Sequence, residues 1–532
     1  MSIFNTVTFR KPKRSLFNLS HEVRFSAKFG QLIPFFCKEV VPGDTFQVTT
    51  EMMARAMPMT APLMHRVNLF THFFFVPNRL VWDQWQEFIT GGEDGNSTPP
   101  FPRCLVYTDT PGSLPDFLGV GVFPRSDSRR TTTYVNALPF RAYSLIWNEY
   151  YRDQNLQEEL EISKESGIDN TVNRENLLLR NWEKDYFTSA LPWTQRGTEA
   201  IAPLRGENEV LLRTDSDGSA VDYAKLRYTG SPSAVGESSQ MPGGYVDVQY
   251  GGALSISEDA NNPAVALDPN GTLYTNMEGS FYSINELRRA LALQRWLEAN
   301  ARGGSRYIEQ IYSHFGVKSS DARLQRPQFL GGGIVPLRIS EVLQTSSSTA
   351  NSDLGDMAGH GMAVGTTREF RRFFEEHGFI IGICSILPRT SYAQGTQRVM
   401  QKFDRFDYYF PEFAHLGEQE VWNSEVFQGA SSTDIGALSG IFGYQSRYAE
   451  YKYYPNTVHG DLKTSGFENW TLYRKFASKP ALNSEFIDVN SDEEELGRIF
   501  PVKEGEDGQF IVQMFNRVKA VRPMPKHTIP GL

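Results

Sequence analysis

The chain has 532 residues, enough to bury a sizeable core as two or three domains or as one β domain with long insertions. Its 53 Lys and Arg residues and 62 Asp and Glu residues give a formal charge of −9, which excludes a globally basic nucleic-acid coat. Aromatic residues make up 13% of the sequence, which favours strands and large packing surfaces over disorder.

Cysteine usage and hydropathy indicate the compartment. Cys37, Cys104 and Cys384 are far apart and form no CxxC pair, so we expect reduced, buried thiols. The sequence contains no run of about 18 apolar residues, and its first residues lack an apolar signal core. We therefore expect no membrane insertion, and synthesis in the cytoplasm.

Positive charge is concentrated near the two ends of the chain. Four basic side chains, interrupted by Pro12, lie in the first 14 residues, and no acid precedes Glu22. A solvated terminus explains such charges as readily as phosphate binding, whose affinity rests on them. The candidate DNA-binding residues are Arg10, Lys11, Lys13, Arg14, Lys519, Arg522 and Lys526.

The first half of the chain predicts a turn, a strand and a helix. Val40 to Asp44 has proline followed by glycine, the pattern of a type II turn. Leu63 to Val76 predicts a strand with two apolar faces, as expected where a strand is covered on both sides. His65 and His72 fall on opposite faces of it, so we expect each to pack with a hydrogen bond rather than share a metal. Phe140 to Arg152 predicts an amphipathic helix.

The composition changes between Arg196 and Ser280. This window holds 11 glycines in 85 residues, with five Lys or Arg against twelve Asp or Glu, so its net charge is −7. Short β-like pieces recur within it. The pattern predicts an acidic, surface-exposed insertion with small strands and long loops.

Ser283 to Gly333 predicts a two-helix corner that runs into a glycine-rich loop. Ser283 and Glu286 have the spacing of a capping box, and an apolar stripe follows at helical spacing. Gly303 and Gly304 break this helix before a second, shorter one. We interpret the corner as a scaffold whose arginines donate to ion pairs or backbone carbonyls at subunit contacts. These candidates are Arg302, Arg306 and Arg323.

The last third predicts two strands, an acidic loop and a tyrosine-rich segment. Phe379 to Leu387 is a continuous apolar run, and Gln509 to Val521 alternates apolar and polar residues. Asp488 to Asp507 is acidic and is expected to be a surface loop. Aromatic residues interleaved with basic ones suit base stacking as well as protein contact, and we favour a subunit interface. The candidates are Tyr444, Arg447, Tyr448, Tyr451, Tyr453 and Tyr454.

Five stretches carry a resemblance to a known family. They lie in order at Pro42–Phe46 (PGDTF), Phe73–Trp85 (FFFVPNRLVWDQW), Leu293–Gly333 (LQRWLEANARGG…FLGGG), Phe442–Gly460 (FGYQSRYAEYKYYPNTVHG) and Arg522–Leu532 (RPMPKHTIPGL). In these stretches the chain resembles the major capsid proteins of the Microviridae, in particular the gokushovirus branch. The resemblance covers nearly the whole chain and weakens around residues 196–282.

The resemblance implies a mainly β fold, the viral jelly roll, an eight-stranded antiparallel β-barrel with long loop and helical insertions. Residues 1–195 and 283–532 would form this capsid domain, and 196–282 a surface insertion, the candidate threefold protrusion. The family implies a virion protein that self-assembles into a T=1 icosahedral shell around circular single-stranded DNA. Implied partners are other copies of the chain, scaffolding proteins, a small basic DNA-packaging protein and a host cell-surface receptor.

The motifs of common enzymes are missing from the sequence. It has no GxxxxGK[ST] loop, no HExxH pair and no GxSxG elbow, so we predict a structural protein with no cofactor, no metal and no catalytic residue. A glycosidase carboxylate pair is not readable from spacing, which keeps a carbohydrate-active enzyme as one alternative. The other is a free β-sandwich that binds a receptor or carbohydrate. Large hollow particles would indicate a capsid, a trimer a binding protein, and a monomer with turnover an enzyme.

Overall fold

The computed structural model describes residues 13–122, 132–171, 175–197, 226–228, 265–267, 284–304, 306–345, 354–428, 440–464, 466–489, 493–501 and 508–527. The chain divides into two compact units, Met1–Arg196 with Glu298–Leu532, and Gly197–Leu297. No helix in the described ranges is both long and apolar enough to span a bilayer.

Strands dominate the described residues, as the sequence predicts. In chain order they are β1 (Ser15–Asn18), β2 (His21–Ala27), β3 (Ile33–Val40), β4 (Thr45–Ala56), β5 (Val67–Pro77), β6 (Arg103–Tyr107), β7 (Thr132–Asn136), β8 (Ile168–Asp169), β9 (Leu226–Tyr228), β10 (Val265–Leu267), β11 (Gln328–Pro336), β12 (Arg338–Leu343), β13 (Met357–Thr366), β14 (Phe370–Phe373), β15 (Gly378–Pro388), β16 (Glu418–Trp422), β17 (Ile441–Ser446) and β18 (Phe510–Arg522).

The helices lie between the strands, and the longest of those described is α4 with 20 residues. They are α1 (Trp85–Thr90), α2 (Leu114–Phe117), α3 (Leu138–Ile146), α4 (Ile284–Gly303), α5 (Tyr307–Phe315), α6 (Asn423–Val426), α7 (Ala449–Lys452), α8 (Ser484–Ile487) and α9 (Glu493–Gly497). A π-helical turn, Trp147–Tyr151, continues α3, so the helix predicted over Phe140 to Arg152 is present. Single 3₁₀ turns lie at Asn78–Leu80, Arg398–Gln401, Arg405–Asp407, Pro411–Phe413, Gly460–Lys463 and Glu468–Trp470.

The larger unit is built on two antiparallel sheets. The first has the strand order β1-β18-β4-β13-β12, with β2 also paired to β18 and β14 also paired to β4. The second has the order β11-β5-β15-β3. This confirms a mainly β fold of the jelly-roll sandwich type. In the described part of the chain, no strand pairing joins the two sheets, so the expected barrel is an open sandwich rather than a closed cylinder.

The two sheets face each other across a core of large apolar side chains. On β4 and β18 every second residue is buried, for example Phe46 and Val48, which places one face of the first sheet against the second. Phe374 joins the layers, because its ring lies 6.0 Å from that of Phe46 and 4.6 Å from that of Phe75. Nearly all residues of β5 and all residues of β15 are buried. The predicted strand covered on both sides is therefore confirmed.

A second core covers the far side of β5 and β15. Phe140, Tyr143 and Ile146 of α3 pack there with Phe74 and Ile381 of the strands. The Tyr143 hydroxyl donates to the Leu32 carbonyl at 2.7 Å and accepts from the Leu178 N–H at 3.0 Å. Burial raises the pKa of Tyr143 far above its usual value, so the hydroxyl stays protonated.

The two histidines near β5 have hydrogen-bond partners within the chain. The His72 ring lies 2.8 Å from the Tyr151 hydroxyl, and the His65 ring 2.6 Å from the Arg389 carbonyl. Burial and, to a lesser degree, the nearby Arg180 charge lower the pKa of His72 to about 4. Across the described ranges, no group of three or more His, Cys, Asp or Glu side chains is placed to hold a metal ion.

The predicted two-helix corner is present as α4 and α5. Gly304 has φ = +101°, and a Cβ there would overlap the Glu309 carboxylate, which explains the need for glycine. That carboxylate accepts the backbone N–H of Arg306 at 3.1 Å and so caps the start of α5. Gly316 ends α5 at φ = +66°. Ser283, the predicted cap of α4, lies outside the described residues.

The acidic stretch Asp488 to Asp507 differs from its prediction as a surface loop. Val489, Leu496, Ile499 and Phe500 are buried in the core of the sandwich, and α9 lies among them. This segment lies in the core despite its acidic composition, because burial of the apolar side chains between the carboxylates stabilises the fold. The predicted surface loop is therefore wrong for this part of the stretch, whose residues 502–507 lie outside the described ranges.

The smaller unit is described at few positions. There, β9 pairs antiparallel with β10 through the register Val265 to Tyr228 and Leu267 to Leu226. This pairing agrees with the small strands expected in the acidic segment. Most of the predicted insertion, residues 196–282, lies outside the described residues.

Candidate nucleic-acid interface

The outer face of the first sheet is the surface of the larger unit opposite the sandwich core. Because β4 and β18 alternate, the residues between the buried ones point away from the second sheet. Directly paired residues of neighbouring strands share a face. The strand pairing therefore assigns side chains from the five other strands of the sheet to this outer face.

Pairing brings basic residues of distant sequence into rows across the sheet. One row runs Asn18–Lys519–Gln47–Arg371, from β1 through β18 and β4 to β14. The next outward residue of β18 is Arg517, which pairs with Thr49. Lys519, Arg371 and Arg517 are all exposed.

The face carries far more positive than negative charge. We call the outward-facing charged residues of this sheet the basic face. On the strands its positive members are Arg24, Arg55, Arg338, Arg371, Arg517 and Lys519, and its acids within the described ranges are Glu22 and Glu51. The net charge of +4 on these strands contrasts with the formal −9 of the whole chain. Arg14, which precedes β1, borders the face.

Both acids of the basic face are already paired. Glu22 contacts Arg24, and the Glu51 carboxylate lies 2.7 Å from the guanidinium of Arg517. All four side chains are more than two-fifths exposed, so these ion pairs add little stability. The excess positive charge is therefore available to an anionic partner.

Exposed apolar groups lie among these charges. The Arg14 guanidinium lies 5.3 Å from the centre of the Phe373 ring, which is half-exposed on β14. Leu16 of β1 and Ile511 of β18 are also exposed on this face. Aromatic rings beside phosphate-binding cations are the combination that binds single-stranded nucleic acid without sequence preference.

The basic face contains one of the seven predicted DNA-binding residues, Lys519, and a second, Arg14, borders it. Lys13 and Lys526 are exposed near the ends of the described chain, and Arg10 and Lys11 lie outside it. The alternation of apolar and polar residues in β18 predicts that Arg517 lies on the same exposed face as Lys519. Arg371 has no such signal, because only the pairing of β14 with β4 places it in the same row as Lys519, on the other side of Gln47.

Arg522 differs from the other candidates because its charge is committed inside the subunit. Its guanidinium nitrogens lie 2.9 to 3.2 Å from both carboxylate oxygens of Asp44, a side chain with 0% exposure. It also donates to the Glu39 carbonyl at 3.2 Å. A group paired this way stabilises the turn between β3 and β4 and has little charge left for phosphate.

The arginines of the helical corner contact their own chain. Arg302 pairs with Glu418 and donates to the Gln445 side chain at 3.2 Å. Arg306 donates to the backbone carbonyls of Asn148 at 2.7 Å and Arg152 at 3.2 Å. Arg323 is exposed. Arg302 is also exposed, at 39% of its side chain, whereas Arg306 is only 19% exposed, so Arg302 and Arg323 are the two that reach the surface.

The tyrosine-rich segment divides into a buried and an exposed part. Tyr448 is buried, adopts φ = +61° and places its ring under the Arg447 guanidinium, 4.9 Å from the ring centre. Tyr444 pairs its backbone N–H and carbonyl with Leu191, each at 2.8 Å. The remaining predicted contacts, Tyr451, Tyr453 and Tyr454, are exposed.

Comparison with known proteins agrees with this arrangement. The model of the family described as capsid protein (F protein) matches residues 5–532. The chain is 35% identical to the capsid protein VP1 of Chlamydia phage 1, over 99% of this chain and 97% of that protein. It is 36% identical to VP1 of Bdellovibrio phage phiMH2K, over 97% of this chain and 95% of that protein. VP1 of Spiroplasma virus 4 is 29% identical, over 98% and 95% of the two chains.

These matches run from end to end and are all to structural proteins of virus particles rather than enzymes. They agree with the antiparallel sandwich, and with sites made of surfaces rather than a catalytic cluster. The chain therefore belongs to the capsid protein (F protein) family of the Microviridae bacteriophages and is a structural component of the virion.

Proposed function

We propose that copies of this chain assemble into a T=1 icosahedral shell around a circular single-stranded DNA genome, with the basic face toward the DNA. The observation that carries the proposal is the net charge of +4 on the strands of one sheet face of an otherwise acidic chain. Membership of a capsid protein family supports self-assembly. Packed phosphates favour positive charge on the inner surface of the shell, since their affinity rests on Lys and Arg contacts.

The insertion is acidic rather than basic, and its proposed direction is outward rather than toward the DNA. Residues 196–282 form a separate domain that faces outward and contacts a receptor on the host cell, while 1–195 and 283–532 form the shell domain. The net −7 charge of its acidic window supports this direction, because carboxylates beside packed phosphates repel them. Assembly takes place in the host cytoplasm, helped by scaffolding proteins and a small basic DNA-packaging protein.

Neutralising three exposed members of the basic face tests the direction of the sheet. In the variant Arg371→Gln, Arg517→Gln, Lys519→Gln, we expect normal folding and particle formation with less encapsidated DNA. Each lost phosphate contact lowers the salt slope of single-strand binding by about 0.7, so the slope should fall by about 2. The measurements are nuclease-protected DNA per particle and binding of the subunit to single-stranded DNA across a salt series.

The matched control removes three positive charges from surfaces outside the first sheet. Lys318, Lys463 and Lys479 are exposed lysines outside the first sheet, and their replacement by Gln also changes the net charge by three. We expect this control to keep the wild-type DNA content and salt slope. Equal losses in both triple variants would mean that bulk charge, rather than the basic face, holds the DNA.

A further inference from the structure

A second surface of the larger unit is apolar and lies outside the first sheet. Eight large apolar side chains are exposed within residues 399–416, with Phe403 at 91%, Met400 at 72% and Leu416 at 66%. Tyr451 extends the same surface, since the Lys402 ammonium lies 3.9 Å from the centre of its ring. Tyr454 belongs to it as well, because it lines one cavity together with Val399 and Lys402. We call these exposed side chains the aromatic surface. A contiguous exposed apolar area of this kind marks an interaction site.

The backbone beneath the aromatic surface is ordered by its own contacts. The Asp407 carboxylate accepts the N–H groups of Phe403 and Asp404, each at 2.9 Å. These backbone donors hold the pKa of Asp407 below its usual value. The ring of Phe413 lies 5.8 Å from that of Phe406 and packs edge to face with it. The surface is therefore preorganised, which lowers the entropic cost of binding a partner.

Charge indicates a protein partner rather than DNA. Residues 399–416 contain Lys402 and Arg405 against Asp404, Asp407 and Glu412, a net charge of −1. Lys402 is itself paired with Glu450 at 3.1 Å. Phosphates have no excess positive charge to bind here, in contrast to the basic face. A net charge of −1 also offers little electrostatic attraction to a small basic protein.

The area fits a contact between folded proteins. A buried aromatic side chain covers about 150–250 Å². Eight large side chains that are roughly half exposed or more therefore present on the order of 800 Å², close to the ~800 Å² that each partner contributes to a standard interface.

We propose that the aromatic surface is covered in the assembled particle by a second copy of this chain. The inference rests on the proposed function, because self-assembly supplies neighbouring copies at high local concentration. It extends the interface predicted from the sequence, to which Tyr451 and Tyr454 belong, to the exposed side chains of residues 399–416. Burial of these side chains against a neighbour contributes to closing the shell.

Polar replacement of the two most exposed side chains tests the proposal. In Met400→Ser, Phe403→Ser we expect the circular dichroism and the denaturation midpoint of the wild type, because both side chains are exposed and their replacement leaves the core unchanged. The protein concentration needed for particle formation should rise at least tenfold. Phe403→Leu keeps an apolar side chain and should assemble within about threefold of wild type. A serine variant that assembles at the wild-type concentration overturns the proposal.

Photo-crosslinking identifies the occupant directly. With benzoylphenylalanine in place of Phe403, irradiated particles should yield a chain dimer whose crosslinked peptides both come from this sequence. A crosslink within one chain, or to a different protein, overturns the proposal and leaves self-assembly intact. A wild-type chain that forms no particles under any assembly condition contradicts the proposed function and this inference with it.

Discussion

Replacing Arg141 by Met is expected to lower the free energy of unfolding of the larger unit by about 3–5 kcal/mol. Arg141 and Asp169 are 1% and 0% exposed, and their N–O distance is 2.6 Å. The guanidinium also donates to the carbonyls of Val81 at 2.9 Å and Glu165 at 3.0 Å. Methionine fills similar volume but leaves a buried carboxylate and two carbonyls without these donors. Chemical denaturation followed by tryptophan fluorescence measures the loss.

The same pair sets a dependence on pH. Burial raises the pKa of Asp169, but hydrogen bonds from Arg141 and Thr171 outweigh it, so the pKa is lowered from 3.8. A carboxylate whose pKa is lower in the folded than in the unfolded state stabilises the fold at pH values above its unfolded-state pKa. This contribution is lost as the pH falls through the folded-state pKa. The difference between wild type and Arg141→Met should therefore be largest near neutral pH and shrink below about pH 4.

Arg517→Met is the matched control, because it also removes an arginine bound to one carboxylate. Arg517 and Glu51 are 59% and 46% exposed, so this change should cost about 0–1 kcal/mol. Equal effects of the two replacements would contradict a special role of the buried pair. So would a loss from Arg141→Met that stays constant down to acidic pH.

Removing the acidic insertion is expected to abolish host attachment while the larger unit still folds. Replacing residues Glu199 to Glu278 by a short Gly/Ser linker ends before α4 begins at Ile284. Loop closure entropy varies only with the logarithm of loop length, so the change costs little stability. We expect soluble folded subunits and a fall of at least tenfold in adsorption of particles to host cells.

A second variant separates the effect of the insertion's side chains from the effect of its length. Substituting the same 80 or so residues by a Gly/Ser sequence of equal length keeps the spacing and removes the side chains. Both variants should adsorb poorly if the side chains contact the receptor. Subunits that fail to fold after either change would contradict a peripheral insertion, and normal adsorption would contradict a host-facing one.

Several elements were predictable because their signals are local. The apolar runs of β5 and β15 indicate strands covered on both sides, and the alternation of β18 indicates its two faces. The glycines that separate α4 from α5 were predicted for the same reason, and Gly304 lies at a positive φ. In each case the deciding interactions lie within a few residues of one another.

The charged sites depend on tertiary pairing and were predicted only in part. Arg371 joins Lys519 through β4, although the two are far apart in sequence. Arg522 has the same local signal as Lys519 but contacts the buried Asp44. The exposure of Phe403 and its neighbours could not be read from their apolar character, which predicts burial equally well.

An electron cryomicroscopy reconstruction of the purified particle tests the central claim most directly. We expect a closed T=1 icosahedral shell in which the outer face of the first sheet, with Arg371, Arg517 and Lys519, borders internal density that nuclease treatment of intact particles does not remove. A small discrete oligomer, or a shell whose basic face points to the outside, would contradict it.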